Sequence, residues 1–347
     1  MEGDGIGPEI MSATLTALQT LNSRFNLAME FNEEIIGLKA ISKTGFSISE
    51  VTLDTCRGVD GIIMGPVDSY AYPDASNGGI NPSAYMRKSL DLYANLRPSR
   101  VRSGVPSVAK KMNLLIVREN TEGFYSDRNM FAGPGEFMPT ENIALSLRKI
   151  SREGSLRIAR QAFKVAMERK QRVTVVHKAN VLKVSDGLFL SCVEEVGREF
   201  PSVKLDEELV DAMAAHLIRT PERFDVILTT NMYGDILSDE AAELSGGLGL
   251  GGSINAGEKY AVAQAAHGAA PDLMGKNIAN PSALMSSAAL LLMWLGKRDN
   301  KPILKRAGLE LEEAVDKALL DSQARTPDLG GAGTTEKFGI LVSKFLA

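Results

Sequence analysis

Four short apolar runs constrain this chain more than anything else in it. "DGIIMGP" (60–66), "NLLIVREN" (113–120), "RVTVVHK" (172–178) and "FDVILTT" (224–230) are strand-length and rich in β-branched residues. Helix-length amphipathic stretches precede, separate or follow them, at 8–22, 151–169, 186–198, 235–244, 281–296 and 308–323. Such alternation predicts an α/β fold with much parallel sheet. Polar residues crown three of the runs: "REN" after "LLIV", "HKAN" after "VTVV" and "TTN" after "VIL". In open α/β sheets, ligands bind beyond the carboxyl ends of the strands. Arg118, His177, Lys178, Asn180 and Asn231 therefore stand where function usually sits. The glycine cluster "SGGLGLGGS" (245–253) reads as a hinge or ligand loop.

Bulk properties narrow the class. With 347 residues, 44% of them hydrophobic, the chain can bury a large core, as two domains or as one large α/β unit. A net charge of −4 gives no basic excess for nucleic acid. Cys56 and Cys192 fit no metal spacing and read as core thiols in a reducing compartment. No apolar run reaches the roughly 18 residues of a membrane span. The nearest, "SALMSSAALLLMWLG" (282–296), reads as a buried helix. The start, "MEGDGIGPEI", has no basic-then-apolar signal pattern. The expectation is a soluble cytoplasmic protein.

"TTNMYGDILSDEAAELSGG" (229–247) places Asp235, Asp239 and Glu243 four apart, on one helix face. Acidic residues in the first turns complement a helix dipole. Asp235 and Asp239 also suit a hard divalent cation, which takes oxygen ligands from one or two carboxylates plus substrate. Arg87, Arg97 and Arg118 lie near strand ends or turns, and Pro98 ends any helix at or near Arg97. Their planar forks match carboxylates, which points to an anionic substrate. Lys178 is either a strand-end surface lysine or a base entering a partly buried site. Tyr125 is either a proton donor or a packing residue. "GDGIGPE" (3–9) is not G-x-G-x-x-G, and no dinucleotide strand–turn–helix fingerprint occurs, which argues against a conventional Rossmann fold. "HGAAPDLMGKNIANP" (267–281) is either a long surface loop or one that wraps a flat ligand.

Eight segments occur in one order: "GDGIGPE", "LDLYANLRP", "VRENTEGFY", "VHKANVLK", "VDAMAAHL", "TTNMYGDILSD", "HGAAPDLMGKNIANP" and "RTPDLGG". Together they resemble the β-decarboxylating dehydrogenases, the isocitrate/3-isopropylmalate dehydrogenase family, over nearly the whole chain. The resemblance implies that family's two-domain α/β fold. Residues 1–100 and 246–347 would form the larger, cofactor-side domain, and 101–245 the dimerising domain. It implies Mg²⁺ or Mn²⁺ on Asp235 and Asp239, with Asp211 supplied by a partner subunit. Arg87, Arg97 and Arg118 match residues that clamp the malate carboxylates. Lys178, also from the partner, matches the base, and Tyr125 the acid that protonates the enol. His267, Gly268, Ala270, Pro271, Asp272 and Asn280 match the cofactor loop. Asp272 stands where the family reads the adenosine ribose, which implies NAD rather than NADP. The implied assembly is a homodimer or an assembly of dimers.

The chain departs from the family's pattern in two places. The family carries an apolar strand before "GDGIGPE"; here only Met1 and Glu2 precede it, which implies a gap in the sheet. Isopropylmalate enzymes usually carry a Leu-Leu pair just before the arginine matching Arg87. Here "INPSAYMR" puts Ser83 and Ala84 there, and with Asn81 the pocket reads as more polar. "VDAMAAHL" looks more like the isopropylmalate branch. The implied function is NAD- and metal-dependent oxidative decarboxylation of a 3-substituted malate, with isocitrate, 3-isopropylmalate, homoisocitrate, and tartrate or malate all open. A non-catalytic regulatory homologue would carry broken positions, but Tyr125, Lys178, Asp211, Asp235 and Asp239 are intact. A metal-dependent hydrolase would not explain the ordered motifs.

Overall fold

The computed structural model describes residues 1–125, 130–133 and 135–347. Its framework is an eight-stranded sheet in the order β1-β10-β9-β2-β3-β8-β6-β7. The strands are β1 (Ile62–Met64), β2 (Ala94–Arg100), β3 (Asn113–Glu119), β6 (Arg172–His177), β7 (Lys204–Leu209), β8 (Val226–Thr229), β9 (Ile254–Ala256) and β10 (Ala261–Gln264). A separate hairpin joins β4 (Glu136–Thr140) and β5 (Ile143–Ser146).

Strands β3, β8, β6 and β7 run parallel, whereas β2 is antiparallel to both β3 and β9, and β9 to β10. The sheet is thus mixed: the ladders β1–β10, β3–β8, β8–β6 and β6–β7 supply the expected parallel part, and β2 and β9 add antiparallel pairs. The four apolar runs all supply strands, trimmed by one to four residues. Strand β2 was not among the expected strands; Pro98 was taken only to end any helix near Arg97, and it lies inside the strand. Pro98 is tolerated because β9 pairs only with Ala94–Leu96, so the proline falls beyond that ladder.

The central runs are continuously apolar because both sheet faces are covered. Leu115, Val117, Val173, Val175, Val226 and Leu228 pack with Ile158 and Phe163 of α5 (Arg152–Met167) and Phe189 of α6 (Ser185–Gly197). On the other face Leu114, Ile116, Val176 and Ile227 meet Met213 of α7 (Val210–Arg219) and Leu237 of α8 (Asn231–Ser245). A third core joins α1 (Gly7–Phe25), α9 (Ser282–Arg298), α10 (Pro302–Leu320) and α11 (Thr335–Leu346) through Leu18, Leu21, Leu292, Leu311 and Phe338. Helix α8 begins at Asn231, four residues before Asp235, and its first turn holds no acid. The dipole reading of Asp235 and Asp239 is therefore wrong: they sit in the second and third turns.

Beside β1, Met1 donates its amino group to the Ile63 carbonyl at 3.1 Å and accepts from Gly65 N at 2.9 Å. Met1 thus lies where a strand before "GDGIGPE" would pair. Among the described residues no helix is long and apolar enough to cross a membrane.

Candidate active site

Five elements converge on one cavity of about 880 Å³: the middle of β2, the ends of β3 and β10, helix α4 (Pro82–Ser89), and α8. Its walls include Asn81, Ser83, Arg87, Arg97, Arg118, Tyr125, Asp235, Gln264, His267 and Gly268. Nine of these ten were singled out from the sequence.

Two buried guanidiniums dominate the floor. Arg118, 1% exposed, is the penultimate residue of β3 and pairs with Thr229 next to the β8–α8 junction. A buried cation needs partners to offset its lost hydration. Arg118 donates to Asn231 Oδ1 at 2.8 Å, to Tyr125 Oη at 2.9 Å and to Asp235 Oδ1. Tyr125 in turn donates to Asp235 Oδ2 at 2.7 Å. Arg97, 7% exposed, donates to Asn95 Oδ1 at 2.7 Å, Ser238 Oγ at 2.7 Å and Asp239 Oδ1 at 3.1 Å, and lies 3.3 Å from Asp235 Oδ1. The four-residue spacing on α8 lets one arginine reach both aspartates.

These charges shape the proton affinities. Burial pushes the Asp235 carboxyl up, but Arg118 and Arg97 outweigh it and hold the group below its ordinary value. Asp239 goes the other way, raised by burial against the pull of Arg97. Burial raises Tyr125, with Arg118 opposing and Asp235 adding, so the phenol keeps its proton at neutral pH.

Asp235 and Asp239 side chains remain 40% and 50% exposed. Two half-open carboxylates from one helix fit Mg²⁺ or Mn²⁺, which takes its remaining oxygens from elsewhere. Among the described residues no three His, Cys, Asp or Glu side chains converge within the chain. Asp211 lies apart, in the first turn of α7, where it accepts from Lys178 Nζ at 2.6 Å; that bond holds its carboxyl below the usual value. Neither Lys178 nor Asp211 lines the cavity. Lys178 follows β6, its backbone N–H held by buried Asp186 at 2.6 Å.

The loop after β10 leads out of the same wall. His267 Nδ1 donates to the Gly268 carbonyl at 3.0 Å, and burial lowers the ring's affinity for a second proton. Its Nε2, then an acceptor, is buried without a hydrogen-bond partner among the described residues. An orphaned acceptor there fits a ligand that brings a donor, as a nucleotide does. Ala270 adopts a left-handed backbone before the 3₁₀ turn Pro271–Leu273, and Asp272 is exposed. Asn280 is buried, donating to Asp328 at 3.0 Å and accepting from Ser282 N at 3.0 Å.

The matching family model, isocitrate/isopropylmalate dehydrogenase, spans residues 1–342. The chain belongs to the isocitrate/isopropylmalate dehydrogenase family. Members of this family are decarboxylating dehydrogenases of 3-substituted malates. The chain is 41% identical over 340 residues to the isocitrate/homoisocitrate dehydrogenase of Thermus thermophilus, covering 97% of this chain and 95% of the relative. It is 37% identical over 336 residues to the 3-isopropylmalate dehydrogenase of Sulfurisphaera tokodaii, with coverages of 97% and 95%. The crystal structure of isocitrate dehydrogenase from Methylococcus capsulatus superposes with a TM-score of 0.87 at 35% identity, over 99% of this chain and 97% of that one.

Relatives whose names give different substrates are thus similar to this chain over nearly its whole length. Sequence reading missed Gln264, which ends β10 and lines the cavity; its signal was a polar residue closing the apolar run "AVAQ". It also missed Asn95 and Ser238, the partners that steady Arg97. His177 ends β6 as expected, but it is buried away from the cavity lining, with Nε2 2.9 Å from Glu207 Oε1 and Nδ1 accepting from Ala179 N at 3.0 Å.

Proposed function

We propose that this protein oxidises and decarboxylates a 3-substituted malate with NAD and Mg²⁺ or Mn²⁺, as a homodimer or an assembly of dimers in the cytoplasm. One observation carries the reading: Arg118, Tyr125 and Asp235 form a hydrogen-bonded cluster, joined by Arg97 through its ion pair with Asp235, on the wall of a cavity that also contains Arg87. Arg87, Arg97 and Arg118 supply three forks for an acid with two or more carboxylates. Bound, the divalent cation would polarise the substrate's 2-oxygen as a Lewis acid and NAD would accept the hydride.

The chain's own groups handle the protons and the orientation. Tyr125 holds its proton at neutral pH within reach of the site and gives it to the carbon left after loss of CO₂. Lys178 takes the hydroxyl proton, acting from the partner subunit. Its pairing with Asp211 outside the cavity supports this, since the two would enter the neighbour's site together.

Exposed apolar side chains support a partner. Phe137, Met138, Ile143 and Leu145 of the β4–β5 hairpin are more than 40% exposed, as are Val181, Val184 and Ile218 near Lys178 and Asp211. Such surface is typical of an interface. Residues 1–100 with 246–347 would then form the cofactor-side domain and 101–245 the dimerising one. The test is NADH formation at 340 nm, with Mn²⁺, on isocitrate, homoisocitrate, 3-isopropylmalate, tartrate and malate. Absence of turnover on all five by folded protein would reject the reading.

A further inference from the structure

The cavity wall beneath α4 contains a hydrogen-bond relay whose direction can be read. Gln264 is 8% exposed. Its Nε2 donates to the Gly65 carbonyl at 3.4 Å, and its Oε1 accepts from Ser83 Oγ at 2.9 Å. A carbonyl only accepts, so Gly65 fixes which end of the amide faces which neighbour. The pairing of Met64 with Gln264 across β1 and β10 holds that carbonyl in place. Ser83 has one proton, and it is committed to Gln264. What Ser83 offers the cavity is therefore lone pairs. Asn81 is arranged the other way. Its Oδ1 accepts from Ala84 N at 3.1 Å as the α4 cap, which leaves the amide NH₂ as its remaining polar end. Both residues line the cavity.

We propose that Gln264 is a specificity-determining residue that keeps Ser83 an acceptor, so that the pocket selects malates whose C3 substituent carries a hydroxyl. The inference rests on the activity proposed above and names its substrate class. A hydroxyl donates to Ser83 and accepts from the Asn81 amide. A carboxylate has no proton for Ser83 and faces its lone pairs, with Gln264 holding the serine proton away. An alkyl group satisfies neither and leaves buried polar groups unmatched, which is where enzymes discriminate most strongly. Gln264 touches the substrate's neighbour rather than the reacting atoms, so it is a positioning residue.

The experiment compares kcat/KM for 3-hydroxymalate (the tartrate stereoisomers, assayed separately) and for isocitrate, whose C3 substituent is a carboxymethyl group. Wild type, Gln264→Met and Ser83→Ala are each checked by thermal melting. The wild type is expected to favour the best hydroxymalate isomer. Gln264→Met frees the serine proton and moves the ratio toward isocitrate by about tenfold, the worth of one neutral hydrogen bond. Ser83→Ala lowers hydroxymalate by about the same factor and spares isocitrate. If Gln264→Met fails to fold, Ser83→Ala still decides, because a donating serine would cost isocitrate instead. A wild-type preference for isocitrate, an unchanged ratio in folded Gln264→Met, or a Ser83→Ala loss confined to isocitrate would overturn the assignment. If the wild type turned over no 3-substituted malate at all, the proposed activity itself would fall, and this assignment with it.

Discussion

Lys178 donates to Asp211 across 2.6 Å, and neither residue reaches the cavity that holds Arg97, Arg118 and Asp235. A base and a metal ligand held together, away from the site they would serve in their own chain, suit exchange across a two-fold axis. Lys178→Ala and Asp235→Asn chains should each be inactive alone. Mixed after reversible dissociation, they should regain about a quarter of wild-type activity, because half the dimers are mixed and each of these keeps one intact site of two. No recovery, in a protocol from which wild type recovers, would place Lys178 in its own chain's site or outside catalysis.

Asp235 has more than one partner to lose. It accepts from Arg118 and Tyr125 and lies beside Arg97, so its charge already serves two buried cations, besides the divalent cation proposed for it. Asp235→Asn should weaken Mn²⁺ binding by about 10–100-fold or more, read from the free Mn²⁺ spectrum in paramagnetic resonance. Unchanged Mn²⁺ affinity would remove Asp235 from the metal site whatever the activity did.

The parts of the site that were legible in the sequence follow from local rules. Asp235 and Asp239 shared a helix face by spacing alone, and Arg118 closed an apolar run where ligands collect. Arg87 and the loop 267–281 were also flagged from their residue types, and the resemblance added the roles proposed for them. Other parts depend on contacts distant in sequence. Strand β2 was hidden because a proline normally rules out an interior strand, and only the end of β9 at Leu96 makes Pro98 harmless. Gln264 meets Ser83 across 181 positions, a pairing no local pattern encodes. The start of α8 was placed at Asp235, where the acidic stripe begins, yet the chain turns into the helix at Asn231, directly after the apolar run.

Gly234 gives a test of how tightly Arg118 is held. A Cβ at this position on α8 would lie 2.6 Å from Arg118 Cγ and 2.7 Å from its Cβ. The helix would otherwise welcome alanine over glycine by about 1 kcal/mol. Gly234→Ala should thus fold, yet push the guanidinium out of line with Asp235 and Tyr125. We expect KM for the acid to rise by about tenfold or more, as befits a misplaced carboxylate clamp. A variant with unaltered KM and kcat would mean that the arginine's stem yields without moving its head.

Asp272 is exposed and bears on cofactor choice. It lies in the short turn Pro271–Leu273 that follows His267 and Gly268 of the cavity wall. A carboxylate there would accept from the two hydroxyls of an adenosine ribose and repel a 2′-phosphate. Because Asp272 is exposed, solvent and salt screen that repulsion, so its share of the preference is limited. NAD should therefore be favoured over NADP in kcat/KM, and Asp272→Lys should narrow the gap by about tenfold, mainly by strengthening NADP binding at low salt. Raising the ionic strength should shrink the difference between the two variants, since the effect is one of screened charge. A wild-type preference for NADP, or a gap insensitive to both the substitution and the salt, would assign cofactor choice to residues other than Asp272.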